Sequence, residues 1–303
     1  MISGKLFRTV ADTCWDVGRR IEAMRAMGIA RQVLSPMPEL LSYWLDGKDA
    51  LLVGRAVNQA IGTMIDEAPD YFIGLGTVPL QDPDLAIVEL ESLMRDGRFR
   101  GVEVGTNVNG IAIGDRRFDA FFAAAARLDA SIFVHALHPV GEERVIGPAQ
   151  LKAVVAFPCE TAFAISSLMT GGILSRHPSL KLAFSHGGGA FASVLPRLQH
   201  GWETFPALRS ALAESPRDIA RRLYYDTLVY DTDTLRSLVR MFGETQLMIG
   251  SDFPFDIHDR DPLGSVAATD LPEAALRLLR ERNARRFLGL AEETCGCDGG
   301  RAA

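Results

Sequence analysis

The sequence is poor in several features, and each shortage narrows the possible functions. Only four cysteines occur in 303 residues, Cys14, Cys159, Cys295 and Cys297. That is too few for a disulfide-stapled scaffold, so reduced thiols are expected, the CxC pair of the polar tail included. Basic residues do not outnumber acidic ones: 32 Lys and Arg stand against 38 Asp and Glu, a net charge of −6. Binding a nucleic-acid backbone draws on clustered Lys and Arg to displace counterions, so the charge argues against that partner and for a small molecule. No run approaches the roughly 18 to 20 uninterrupted apolar residues that cross a bilayer, and no basic segment followed by an apolar run opens the chain. A cytoplasmic protein with no membrane partner is the expectation. Neither GxxxxGK[ST] nor GxGxxG is present, which argues against a nucleotide site.

What remains is ample for a core, with 48% apolar and 23% charged residues. Short β-rich runs alternate with amphipathic helical segments throughout, the pattern of a parallel sheet joined by crossover helices. The runs predict strands over Arg31 to Pro36, Tyr71 to Pro79, Gly101 to Gly105, Ser131 to Ala136, Leu180 to His186, Leu223 to Val229 and Gln246 to Asp252. The clearest helix boundaries are Asp82 as a cap, Pro83 at the first position and Gly97 past the end. A second helix runs from about Asp16 to Gly28, with Ile21 and Met24 on one face. Others are expected over Ala50 to Glu67, Phe118 to Leu128, Thr161 to Ser175, Thr232 to Met241 and Pro272 to Leu288. With no internal repeat and no linker, one domain over residues 1–290 and a flexible tail over 291–303 is the simplest division.

Seven strand and helix units are legible, whereas closure of a (β/α)₈ barrel takes eight. The chain opens on a helix, so the expectation is a barrel lacking its first strand, or an open sheet in its place.

In a parallel barrel functional side chains sit at the C-terminal ends of strands. Three polar residues end apolar runs: His135 after Phe133-Val134, His186 after Phe184-Ser185, and Asp252 after Gly250-Ser251. Any one histidine alone reads as a hydrogen-bonded structural residue. Two imidazoles and a carboxylate at one mouth suit a divalent ion such as Zn²⁺, or a base with its orienting acid. His138, His177, His200 and His258 fall in loops or helix ends and are expected to be solvated. Gly187, Gly188 and Gly189 follow His186, a run that lets backbone approach a ligand or present N–H groups to an anion.

The segments FVH at Phe133 to His135, SHGGGAF at Ser185 to Phe191 and GSDFPF at Gly250 to Phe255 resemble the amidohydrolase-related decarboxylases. The likeness extends to LFR at Leu6 to Arg8, CWD at Cys14 to Asp16, RIEAM at Arg20 to Met24, VPLQDPDLA at Val78 to Ala86, PRL at Pro196 to Leu198 and NARRFLGL at Asn283 to Leu290. The resemblance implies a TIM-barrel-type α/β fold, His135 and Asp252 as metal ligands, and His186 as the base acting on activated water. It also implies Arg8 and Arg197 as carboxylate anchors, the second supplied across a homodimer interface, and Phe255 as a wall against a planar substrate. The implied reaction is decarboxylation of a small conjugated or aromatic acid such as aminocarboxymuconate semialdehyde, with zinc as the metal. Hydrolysis of a lactone or amide, and a non-catalytic metal-poor relative, are the alternatives. The sequence departs from the family in two places. It has no HxH pair, which in the family supplies two metal ligands; a start assigned too late or a truncated chain is the favoured explanation, and a genuinely metal-poor or inactive relative is the other. The segment Ala136-Leu137-His138-Pro139 replaces a tryptophan-containing loop, which leaves the substrate open among carboxylated muconates, hydroxybenzoates and similar acids.

Overall fold

The structure, a computed structural model, describes residues 9–291. Arg8 with the rest of its LFR motif, the tail from residue 292 and the Cys295/Cys297 pair lie outside the described residues.

Among the described residues nine strands form: β1 Gln32–Leu34, β2 Phe72–Gly76, β3 Phe99–Gly105, β4 Asn107–Val108, β5 Ile111–Ala112, β6 Ser131–His135, β7 Lys181–Phe184, β8 Tyr224–Asp226 and β9 Leu247–Met248. Seven of them make one curled parallel sheet in the order β1-β2-β3-β6-β7-β8-β9, and β4 and β5 form a small antiparallel hairpin above β3. Each of the seven predicted runs overlaps one sheet strand, six containing it whole, while β3 starts two residues before its predicted run at Phe99. Helix α1, Val17–Ala26, precedes β1. The crossovers carry α2 Gly47–Glu67, α3 Pro83–Arg95, α4 Asp119–Arg127, α5 Phe157–Thr170, α6 Phe191–Thr204 and α7 Thr232–Phe242.

The caps explain the helix starts. Asp16, Asp82 and Asp231 each accept a hydrogen bond from a backbone N–H in the first turn, and Pro83 fills the first position of α3, where no donor is needed. The helix expected over Thr161 to Ser175 starts earlier and breaks at Gly171-Gly172, because Gly172 adopts a left-handed φ of 74° that ends the helix. Helix α6 was not legible in advance, since Pro196 lies inside it and a glycine run precedes it. Its signal was Phe191, Leu195, Leu198 and Trp202, at helical spacing and packed on the core.

Alternation along the strands divides the core in two. Val102, Val104, Ile132, Val134, Leu182 and Phe184 face the helices. Ile73, Leu75, Phe133, Ala183, Tyr224 and Met248 face the inside of the curled sheet, where Phe287 and Leu288 from the last helix pack against them. Ser131 Oγ donates to Phe287 O at 2.6 Å, which fixes that plug under the strands. Among the described residues no ladder joins β1 to β9. Arg20 links the two sides instead: its Nε donates to Gln32 Oε1 of β1 at 2.9 Å, and its guanidinium lies 5.2 Å from the centre of the Phe253 ring beyond β9. Among the described residues one continuous helical stretch is long and apolar enough by composition to span a bilayer, Lys152–Thr170, and 44% of its 18-residue window is buried against the rest of the domain.

Candidate active site

Three strand ends bring the predicted residues together. His135 closes β6, His186 follows β7 after Ser185, and Asp252 follows β9, and one ligand atom from each lies within 4.8 Å of the others. His135 Nδ1 faces Ala136 O at 2.9 Å, which places the proton on Nδ1 and leaves the Nε2 lone pair toward Asp252 Oδ1, 4.0 Å away. His186 Nε2 lies 3.3 Å from Asp252 Oδ2, and the two imidazoles meet edge to face with centroids 4.9 Å apart.

Burial and the neighbouring His186 pull the His135 pKa down to about 4, so at neutral pH it is an uncharged ring able to ligate. Burial works the same way on His186. There the hydrogen bond and charge of Asp252, with Asp226 behind it, prevail and hold its pKa above the ordinary value. The two rings are therefore shifted in opposite directions, His135 toward the neutral ligand form and His186 toward the protonated form, the separation an acid–base site uses. Two imidazoles and a carboxylate in this spacing fit a divalent cation of borderline softness, and His186 Nδ1 is buried with no partner among the described residues.

Sequence reading missed two residues of this site. Asp226 ends β8 and accepts from His186 N at 2.9 Å, Gly187 N at 2.8 Å and Leu228 N at 3.0 Å. It holds His186 in a left-handed conformation, φ 57°, that a residue with a Cβ seldom adopts. The signal was available, for Asp226 also ends an apolar run, but the strand predicted through Val229 placed it mid-strand. Glu103 is the second. It stands on the inner face of β3, 2% exposed, and its Oε1 has no hydrogen-bond partner among the described residues. Burial pushes its carboxyl up to about 8; the hydrogen bond from Ser35 opposes this, and the charges of Asp252 and Glu39 add to it.

Asp226→Asn should lower kcat by roughly 10- to 100-fold, the loss of about 1.5–3 kcal/mol that accompanies a broken hydrogen bond to a charged acceptor. Steady-state kinetics would check it, and a kcat within twofold of the parent would remove Asp226 from the positioning of His186.

The glycine run has a packing explanation. A Cβ on Gly187 would strike Val229 and Leu238, one on Gly188 the Tyr225 ring, and one on Gly189 the backbone of Pro158. The three N–H groups are taken by Asp226, Ser185 O and His186 O, which leaves none for an anion. His138 and His200 are exposed as expected. His177 is not solvated, because its Nε2 lies 3.1 Å from Asp119 Oδ1. Nor is His258, whose ring meets Phe253 edge to face. Arg197 stands exposed on α6, and Phe255 is half-buried three residues past Asp252.

The amidohydrolase family model matches residues 6–290. The chain belongs to this family. It is 34% identical over 96% of its length, and 81% of the relative's, to 2-amino-3-carboxymuconate-6-semialdehyde decarboxylase of Dictyostelium discoideum, which places it in the carboxy-lyase branch. The fold matches 5-carboxyvanillate decarboxylase from Sphingomonas paucimobilis with a TM-score of 0.83 at 22% identity, covering 91% of this chain and 84% of that one. It also matches dihydroxybenzoic acid decarboxylase from Polaromonas, solved with bound manganese and an inhibitor, with a TM-score of 0.77 at 22% identity over 89% and 85%. The family and the three converging side chains together indicate a divalent metal.

Proposed function

We propose that this protein decarboxylates a small aromatic or conjugated carboxylic acid, with His186 as the proton-moving group and His135 and Asp252 holding a divalent ion. The observation that carries the reading is the meeting of His135, His186 and Asp252 within 4.8 Å at the C-terminal mouth of the sheet. The ion, when bound, supplies a Lewis acid that stabilises developing negative charge. His186 takes and returns a proton at the ring nitrogen left without a partner, while Asp252 stabilises its charged form. The carbon–carboxyl bond breaks to release CO₂, its electron pair stays on the carbon, and a proton relayed by His186 replaces the lost group.

Phe255 supplies an aromatic wall, and Arg8 and Arg197 pair with carboxylate groups, Arg197 from a second copy of the chain. The homodimer reading is supported by the outer faces of α5 and α6, two helices packed against each other, where Phe163 and Val194 are exposed and α6 also carries Arg197; Val155, in the turn before α5, is exposed as well. Zinc is the preferred ion because imidazole nitrogen and carboxylate oxygen are its usual ligands.

Treatment with a chelator should abolish CO₂ release from hydroxybenzoates or carboxylated muconates, and one equivalent of Zn²⁺ should restore more of it than Mn²⁺ does. Recovery with Mn²⁺ alone would reassign the metal. Absence of CO₂ from every acid in the metal-loaded protein would sink the decarboxylase reading, and a monomer by analytical ultracentrifugation would sink the dimer.

A further inference from the structure

Beside the metal-capable cluster lies a cavity of about 230 Å³ lined by Tyr43, Trp44, Asn107, Asn109, Leu137 and His138, with the backbone of Gly110. Its position relative to the chemistry follows from register. Gly105 pairs with His135 across β3 and β6, and a Cβ on Gly105 would touch Tyr43 and Leu137. The cavity therefore flanks His135 on the β3 side of the mouth, away from His186 and Asp252 on β7 and β9.

Three loops that build it are tied together before any ligand arrives. Gly105 N donates to Tyr43 Oη at 3.1 Å, and Asn109 Nδ2 donates to Tyr43 O at 2.7 Å. Asn107 Nδ2 donates to Leu137 O at 2.8 Å, His138 O at 3.2 Å and Glu160 Oε1 at 2.9 Å. Each loop also holds a non-glycine residue in left-handed backbone: Ser42 at φ 53°, Asn109 at φ 52° and His138 at φ 44°. Such conformations persist where surrounding bonds over-determine them and gather at ligand clamps.

The chemistry of the walls is specific. No Lys, Arg, Asp or Glu lines the cavity among the described residues, and the amide nitrogens of Asn107 and Asn109 already donate inside the protein. Trp44 is 52% exposed and meets the exposed His138 ring at a 46° tilt, with centroids 5.9 Å apart, so two flat faces flank the opening. A cavity of about 150 Å³ admits a benzene ring, so this volume accommodates a substituted ring.

We propose that this cavity takes the uncharged, planar end of the substrate, opposite the carboxyl group that leaves, so that the enzyme selects acids with no second anionic group at that end. The inference rests on the decarboxylase reading for the placement of the carboxyl group. A second carboxylate in the cavity would give up hydration and meet no Lys or Arg among the described residues, and burying a charge without a charged partner is strongly unfavourable.

The test is calorimetric titration of the Zn²⁺-loaded full chain with 2,6-dihydroxybenzoate carrying either a methyl or a carboxylate group at position 4, in parallel with CO₂ measurement. The methyl compound should bind at least roughly tenfold more tightly. Trp44→Ala and His138→Ala should each weaken it by roughly tenfold, as expected for loss of an aromatic contact, and Trp44→Phe should restore binding. Equal binding of the two compounds, or unchanged binding in Trp44→Ala, overturns the inference. CO₂ release without the binding preference would fail the cavity and keep the decarboxylase; the preference without CO₂ from any acid would do the reverse.

Discussion

His186→Asn should reduce kcat for CO₂ release by roughly 10³-fold, within the range of about 10² to 10⁴ for losing a positioned acid–base group. Asparagine keeps a polar side chain of similar reach, and the backbone N–H that Asp226 accepts from is retained, so the turn after β7 should survive. What is lost is an imidazole able to take and return a proton. The raised pKa of His186 gives the expected profile: activity that needs its charged form persists to higher pH than an ordinary histidine would allow, then declines as the ring deprotonates. A variant with kcat within tenfold of the parent, its fold intact by circular dichroism, would remove His186 from the chemistry.

The second large effect concerns Glu103 and is read as stability. Its folded pKa of about 8 lies above the 4.5 of an unburied glutamate, so between these values the folded chain holds a proton that the unfolded chain has released. The resulting stability is complete below about pH 4.5, falls as pH rises, and is gone above about pH 8. The full span is on the order of 5 kcal/mol, taking about 1.4 kcal/mol for each pH unit between the two values. Metal-free protein should therefore lose urea resistance between pH 5 and pH 8, and Glu103→Gln, neutral at both, should flatten that slope. A slope unchanged in the variant would show that other groups govern it. A divalent ion among His135, His186 and Asp252 would draw the Glu103 proton off and move the transition to lower pH, so a metal-loaded sample is the internal control.

Local physics explains how much of this protein could be read in advance. The strands at Phe72–Gly76 and Ser131–His135 are apolar runs covered on both faces, and that pattern is a one-dimensional property. The same holds for the cap, proline and stop that frame α3. His135, His186 and Asp252 were legible because each is a polar residue ending such a run. Asp226 and Glu103 escaped for one shared reason: both lay inside predicted strands, where a charge reads as a fault in the pattern until the opposite face of the sheet is known. For Glu103 the alternation Gly101-Val102-Glu103-Val104-Gly105 put its side chain on the inner face, but nothing local said that Ser35, Glu39 and Asp252 would surround it.

The sequence by itself determined the α/β class, the order of strands and helices, and which three side chains could meet a metal, because hydrophobic period and strand-end position are local quantities. Tertiary structure alone decided that His135 is pushed toward its neutral form while His186 is pushed toward its charged form, that Asp226 locks the His186 turn, and that Trp44 and His138 share a cavity though 94 positions separate them. These depend on distance and burial between residues far apart in the chain, which exist only once the sheet has curled.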